Sequence, residues 1–489
     1  MLNSPTKVLA IGLDSADRTY LWELVAAGEL PRIQALAEAG ISGRLTTPPA
    51  LGDDAIWTTF STALPPGRHG RFFWKGLSPA SYATHGFGDD DPARRPFWES
   101  LSHQGLRVAA IDVPKSPMCR LEGGLQLSDW MVHGRDGTTR SWPPEVAADV
   151  LARFGDDRID RYGTDDFLCR EQALPPELQG EFYARLTDGL EKKRRATLEF
   201  LDREAWDLFL VVFKESHCVG HEFWDAATAG VRGSGVPEDP VGDVYRALDR
   251  AVGDLVDRVD DQTHVLLFST LGMAPNYTAE HLLDRALLRL ESALPHRVAE
   301  LYPRLLELEQ RIRDRWFPDA ERSLVRGLRR AFQVEHNEIS GAIRLNIRGR
   351  EPSGRLQPGA EAEAWTRELE TALLELVDPD TRHRVVERVE RSDRLFPGER
   401  REALPDLFVV WNRERPITGL ASDRIGVVRA DDPGFRPGNH VGDGFYILSG
   451  PRIDAETPLD RDASIMDLGP TIATLLEADL PGVEGRPLL

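Results

Sequence analysis

His217 and His221 stand four residues apart in "KESHCVGHEFW", directly after the apolar run "DLFLVVF". On a helix, positions i and i+4 share a face, so both imidazoles can reach one cation. A third histidine, His440, sits in "RPGNHVGDGFYILSG", a glycine-rich loop leading into a strand, where a ligand can be held on exposed backbone. The pair alone is a weak signal in a chain with 12 histidines, since one such spacing arises by chance. Asp53 and Asp54 follow a glycine in "PPALGDDAIWTTF". An Asp at a helix start caps free backbone N–H groups, which accounts for one of the two and leaves the other for a cation or an electrophile. Arg68, His69 and Lys75, in "PPGRHGRFFWKG", are candidates to bind substrate oxyanions; the alternative for His69 is that it only shapes the turn.

The elements around these residues read as alternating strands and helices. "KVLAIGLD" is a buried-strand signal ending in Asp14, followed by an amphipathic helical pattern that Pro31 divides in two. Strand-like runs recur at Leu106–Val113, Asp207–Phe213, Thr263–Thr270, Pro405–Trp411 and Gly442–Gly450. Continuous apolar strands separated by helices predict an α/β fold with a largely parallel sheet covered on both faces. In such sheets, polar sites gather beyond the carboxyl ends of the strands, where Asp14 and the His217 cluster fall. Glu280–Gln333 is charged, helical in pattern and without strand character. Residues 1–279 and 341–489 are therefore expected to form the main domain, and 280–340 a helical insertion: a lid, or a surface helical pair with no role in the chemistry.

Composition sets outer limits. At 489 residues the chain is long for one typical core. Its net charge of -20 argues against binding nucleic-acid polymers or anionic membranes, while leaving room for a local basic pocket and a small anionic substrate. No segment has the length and apolarity of a signal-peptide core or a membrane span. Cys119, Cys169 and Cys218 show no paired spacing, which fits a reducing cytoplasm. Nothing indicates the oligomeric state.

The order of the motifs resembles the type I phosphodiesterase/nucleotide pyrophosphatase family of the alkaline phosphatase superfamily. "VLAIGLDSAD" is similar to the family's first strand with its metal-binding Asp, and "LPRIQALAEAGISGRLTTPPAL" to its Leu-Pro-Asn-Leu helix and next strand. "WTTFSTALPPGRHG" matches the pattern Trp-Thr-Ser-Phe-x-Thr-Gly-x-x-Pro-x-x-His-Gly. "RLNIRGREPSG", "LPDLFVVW", "GNHVGDGFYILSGP" and "SIMDLGPTIATLLEADLPGVEGRPL" are similar to later landmarks. The resemblance implies an alkaline-phosphatase-like sandwich and a two-metal site with a Thr or Ser nucleophile between the metals. Carried over by position, Asp14 is the first-strand metal ligand, His221 the second member of the four-residue ligand pair, and His440 the C-terminal ligand. His217 stands where the family has Asp, and Asp53 where it has the hydroxyl nucleophile. Thr270 and Leu271 replace the Asp-His pair of the second metal.

These departures have chemical consequences. Three imidazoles form a neutral ligand set suited to a borderline divalent ion, Zn²⁺ first and Fe²⁺ or Mn²⁺ as alternatives. Asp53 is a further candidate ligand, general base or nucleophile. Leu271 cannot bind a cation, so a second metal, on Asp14 and Asp53, is expected to be weak or absent. The expected activity is that of a metal-dependent hydrolase or transferase acting on a phosphate ester, a phosphodiester or a related anion. Lyase or oxygen chemistry on the same scaffold, and a non-catalytic metal-binding relative, are the alternatives.

Overall fold

The computed structural model describes residues 7–78, 80–131, 138–155, 173–224, 233–291, 325–337, 339–429, 435–451, 453–454 and 462–489, with seven scattered positions between 301 and 312. Its centre is a nine-stranded sheet. Across the sheet the order is Ala463–Ser464, Gly40–Thr46, Asp443–Ser449, His264–Ser269, Val8–Leu13, Leu208–Phe213, Val108–Ile111, Leu125–Ser128 and Arg140–Trp142. Only Asp443–Ser449 and Arg140–Trp142 run against their neighbours. The Val8–Leu13, Leu208–Phe213 and His264–Ser269 strands are buried at every position, which is why they read as unbroken apolar runs rather than alternating ones.

Both faces are covered. On one, Leu9, Ile11 and Phe209 pack against the Pro176–Arg203 and Pro240–Val256 helices. On the other, Ala10, Leu210 and Phe268 meet Trp57 and Phe60 of the Asp53–Thr62 helix, together with the Leu468–Leu475 helix. The Asp53–Thr62 helix is buried along its whole length. Burial on all sides fixes its N-terminus, and hence Asp53, against the end of the sheet.

A second, four-stranded antiparallel sheet has the order Ala331–Val334, Ser340–Leu345, Leu407–Trp411, Val386–Arg391. The Glu280–Leu290 and Ala360–Leu374 helices cover one face through Leu283, Leu287, Trp365 and Leu369. The other face carries Phe332, Val334, Ala342 and Phe408, which pack on Leu51, Ala55 and Phe72 beside the start of the Asp53–Thr62 helix. The expectation of a purely helical 280–340 segment is corrected here. Ala331–Val334 is a strand, and it pairs with Ser340–Leu345, so a boundary at 340 cuts through one sheet. The run is only four residues long and preceded by arginines, so its alternation of Phe332 and Val334 against Ala331 is too short to show as a strand period. Most of 292–324, where the lid reading falls, lies outside the described residues. Among the described residues, no helix is long and apolar enough to cross a membrane.

Candidate metal centre and its surroundings

Two neighbouring strand ends of the main sheet and a separate short hairpin meet at its carboxyl edge. Leu13 pairs with Phe213, and Asp14 N–H continues the ladder by donating to the Phe213 carbonyl at 2.8 Å. The chain leaving Phe213 turns at once into the Glu215–Phe223 helix, which is buried throughout and carries His217 and His221 one turn apart. His440 arrives from a different direction. It lies on the short Gly438–Val441 strand, which pairs antiparallel with Gly272–Pro275 and sets Met273 opposite His440. Contact between that hairpin and the helix depends on Gly438, where a Cβ would fall 2.0 Å from the Gly220 carbonyl oxygen. The same approach lets His221 Nδ1 donate to the Gly438 carbonyl at 2.8 Å.

The three imidazoles meet. Ring centroids of His217, His221 and His440 are 4.6, 4.8 and 4.6 Å apart, and one ligand atom from each lies within 4.8 Å of the others. All three residues are buried. With Nδ1 of His221 committed as a donor, its Nε2 is the acceptor, and that atom has no protein partner; neither has Nδ1 of His440. An unsatisfied buried polar atom costs roughly 1–3 kcal/mol, so two in one cluster point to an acceptor-seeking occupant. Burial, then the positive Arg436 and the other two imidazoles, holds His221 well below the usual histidine range. Burial and the neighbouring His217 do the same for His440, against the opposing pull of Asp53. Neutral imidazoles are the form that binds a metal.

Asp14 is not part of the triangle. One carboxylate oxygen accepts from Trp57 Nε1 at 2.9 Å and Ser15 Oγ at 3.2 Å, and the other lies 3.1 Å from His217 Nδ1. The Asp14 carboxylate thus lies against the His217 ring, the position from which a carboxylate can orient a metal-bound histidine. Thr270 and Leu271 are fully buried, and Leu271 belongs to the core cluster with Trp57 and Phe268.

Asp53 begins its helix at the mouth of this cluster. Lys115 Nζ lies 3.6 Å from Asp53 Oδ2 and 3.5 Å from Asp54 Oδ1, and Arg71 reaches Asp54 at 3.5 Å. Asp54 is thus tied into the protein, and Asp53 faces the imidazoles closely enough to act on His440. Asp53 stands outside the ligand triangle.

The three oxyanion-binding candidates lie elsewhere. His69 is fully buried; its Nε2 meets Thr59 Oγ1 at 3.0 Å and its Nδ1 accepts from Arg71 N–H at 3.1 Å. Burial with Arg71, Arg94 and Arg400 nearby pushes it down to about 3. It is a neutral brace of the turn, with both ring nitrogens spent. Arg68 is bound to Glu399 and Glu484 at the surface, and Lys75 sits 3.9 Å above the Trp74 ring with Glu335 at 3.4 Å.

A model of the type I phosphodiesterase/nucleotide pyrophosphatase family matches residues 8–432. The chain belongs to that family. Among solved structures it is similar to phosphonoacetate hydrolase from Sinorhizobium meliloti 1021 in complex with phosphonoformate, with TM-score 0.55, 14% identity, and 96% of each chain covered. It is also similar to murine ectonucleotide pyrophosphatase/phosphodiesterase 5, with TM-score 0.51, 13% identity and 98% of each chain covered. No curated protein matches the sequence. At these identities the structures show the alkaline-phosphatase-like fold, with its large, mostly parallel sheet flanked by helices.

Two further residues of this family member reach the site without a signal in the sequence. The turn between Ala331–Val334 and Ser340–Leu345 carries His336 and Asn337 to the start of the Asp53 helix. Both polar atoms of the buried Asn337 amide lack a hydrogen-bond partner, and a Cβ on Gly52 would fall 1.3 Å from Asn337 Nδ2. Gly52 is what lets that amide close on the residue before Asp53. Only the glycine in "LGDDA" hinted at a close approach, and nothing in the sequence named its partner.

Proposed function

We propose that this protein is a metal-dependent hydrolase or transferase acting on a phosphate ester or a related small anion, with one divalent ion, Zn²⁺ first, held by His217, His221 and His440. The observation that carries this reading is the buried triangle of imidazoles, in which His221 Nε2 and His440 Nδ1 have no protein hydrogen-bond partner. The ligand set is all nitrogen, which suits Zn²⁺ better than Mg²⁺ or Ca²⁺. When bound, the ion supplies Lewis acidity toward a phosphoryl oxygen or a water. Family membership gives the reaction class its prior, and S. meliloti phosphonoacetate hydrolase supports small anions as substrates.

The chain's own residues then divide the work. Asp53 receives the proton of the attacking water; it lies outside the ligand triangle and beside the reacting space. This is preferred to attack by the carboxylate itself, since Lys115 holds one of its oxygens. Lys115 carries positive charge toward a substrate oxygen, and Arg436 adds to the positive field around the imidazoles. Asp14 and Trp57 hold the His217 ring in place. The buried cysteines Cys119 and Cys218 fit a reducing cytoplasm.

The test is hydrolysis of a bis-aryl phosphodiester and a panel of phosphomonoesters by protein loaded with Zn²⁺, Mn²⁺ or Fe²⁺, before and after chelation. Turnover that chelation abolishes and one equivalent of metal restores is the expected result. Metal bound at one equivalent with no turnover on any phosphate or phosphonate ester contradicts the reading.

A further inference from the structure

A cavity of about 150 Å³ on the far side of Lys115 from Asp53 is lined by the basic side chains of Arg71, Arg94, Lys115, Arg140 and Lys214, with Asp89, Asp129 and the Phe87 ring among them. Four of these cations are nearly out of solvent: Arg71, Arg94 and Lys214 are 5%, 3% and 2% exposed, and the Lys115 side chain 9%. Burying a cation is costly unless an anion meets it. Most have one. Lys214 Nζ lies 2.9 Å from Asp112, Arg140 lies 2.7 Å from Asp89 and 3.3 Å from Asp129, and Lys115 shares Asp53 and Asp54.

Arg94 is the exception. Its Nη1 donates to the Gly88 carbonyl at 3.0 Å, its buried Nε has no hydrogen-bond partner, and the carboxylates whose charge reaches it, Asp91 and Asp89, are bound by Arg400 and Arg140. A second guanidinium stands beside it: Arg71 and Arg94 lie 5.0 and 4.9 Å from the centroid of the same Phe87 ring. Burial and then repulsion from Arg71 push Arg94 down to about 10, against the opposing pull of Asp91 and Asp89, so it is still charged at neutral pH. Two like charges held together out of water, one with only carboxylates already shared with other arginines as counter-charge, make a site that an oxyanion would complete. Lys115 lines this cavity and also lies beside Asp53, so the cavity and the imidazole cluster flank one side chain.

We propose that this cavity is a second anion subsite and that the substrate is a small two-ended anion: its reacting phosphoryl group sits between Asp53 and the imidazoles, and its other acidic group, a carboxylate or phosphate, sits on Arg94 and Arg71. The proposal rests on the phosphoryl-transfer reading for the first end. The planar guanidinium fork matches either oxyanion through paired hydrogen bonds, and Lys115 bridges the two ends.

Calorimetric titration of the purified protein with pyrophosphate, malonate and orthophosphate, in wild type and Arg94→Gln, tests it, with metal content measured in the same samples. The expected result is at least tenfold weaker binding of pyrophosphate in Arg94→Gln, with orthophosphate changed less than twofold. Malonate reports the carboxylate arm and pyrophosphate the phosphate arm; a loss on either supports the subsite and tells which group it takes. Arg94→Lys keeps the charge without the fork and is expected to show an intermediate loss, which also guards against misfolding of the glutamine variant. Equal pyrophosphate and malonate binding in all three proteins overturns the proposal, as does an equal loss on orthophosphate. If the protein holds no metal yet the Arg94 dependence is present, the subsite stands and the metal reading falls.

Discussion

The imidazole end of this site and the Asp14 end start from neighbouring strands of one parallel sheet, yet their side chains are arranged for different tasks. At the imidazole end, three rings from two distant segments converge; burial lowers His221 and His440, whose Nε2 and Nδ1 have no protein hydrogen-bond partner. At the Asp14 end, both carboxylate oxygens are occupied by Trp57, Ser15 and His217, and Leu271 is packed into the core beside Trp57. His217 makes the contrast sharper. A histidine where the family pattern has Asp brings a ring whose Nδ1 lies 3.1 Å from the Asp14 carboxylate.

The comparison can be broken at several points. The largest effect is expected from His221→Ala. It removes one of three ligands and the hydrogen bond to Gly438, and near-complete loss of bound metal by elemental analysis, with the circular dichroism spectrum retained, is the predicted outcome. Asp53→Ala is expected to keep the metal and lower kcat by roughly 10² to 10⁴, the usual range for a lost general base; metal loss in this variant would make Asp53 a ligand instead. Asp14→Asn is expected to weaken metal affinity by about 10- to 100-fold, the range for groups that orient a ligand. A loss as complete as that of His221→Ala would return Asp14 to the ligand set.

A smaller effect concerns pH. His336 is held neutral, down to about 4, mainly by burial, and His221 and His440 are lowered as well. Each of these pKa values is depressed on folding, so below the ordinary value near 6.5 the unfolded chain binds protons that the native chain does not, and stability falls as pH falls. Each such group contributes a limiting slope of roughly 1.4 kcal/mol per pH unit between about 6.5 and its folded value. Urea unfolding of chelator-treated protein at pH 7 and pH 5 is expected to show the loss, and His336→Gln to reduce it by one proton's share. Equal stability at the two pH values contradicts the burial of neutral rings.

How much of this was readable beforehand depends on how each residue announces itself. The five central strands were legible because burial on both faces writes itself as unbroken apolar runs, and the helix pair around Pro31 because proline marks its own boundary. His217, His221, His440 and Asp53 were legible as a set only through the order of the family's motifs. Arg94, Lys115 and Asn337 were not, since an arginine, lysine or asparagine in a loop has no period or spacing that tells where its side chain ends up. Lys75 and Arg68 show the reverse error: closeness to Asp53 in sequence suggested closeness in space, but a short helix and a turn lead them to the surface. The strand at Ala331–Val334 was hidden by its length and by the charged helical pattern before it, although it carries the turn that brings His336 and Asn337 to the site.

Anomalous diffraction at the zinc edge, from crystals of the metal-loaded protein, tests the central claim most directly. The account predicts a single strong peak within bonding distance of ring nitrogens of His217, His221 and His440, with the Asp14 carboxylate still on His217. A peak of comparable height between Asp14 and Leu271, or no peak among the three rings, would contradict it.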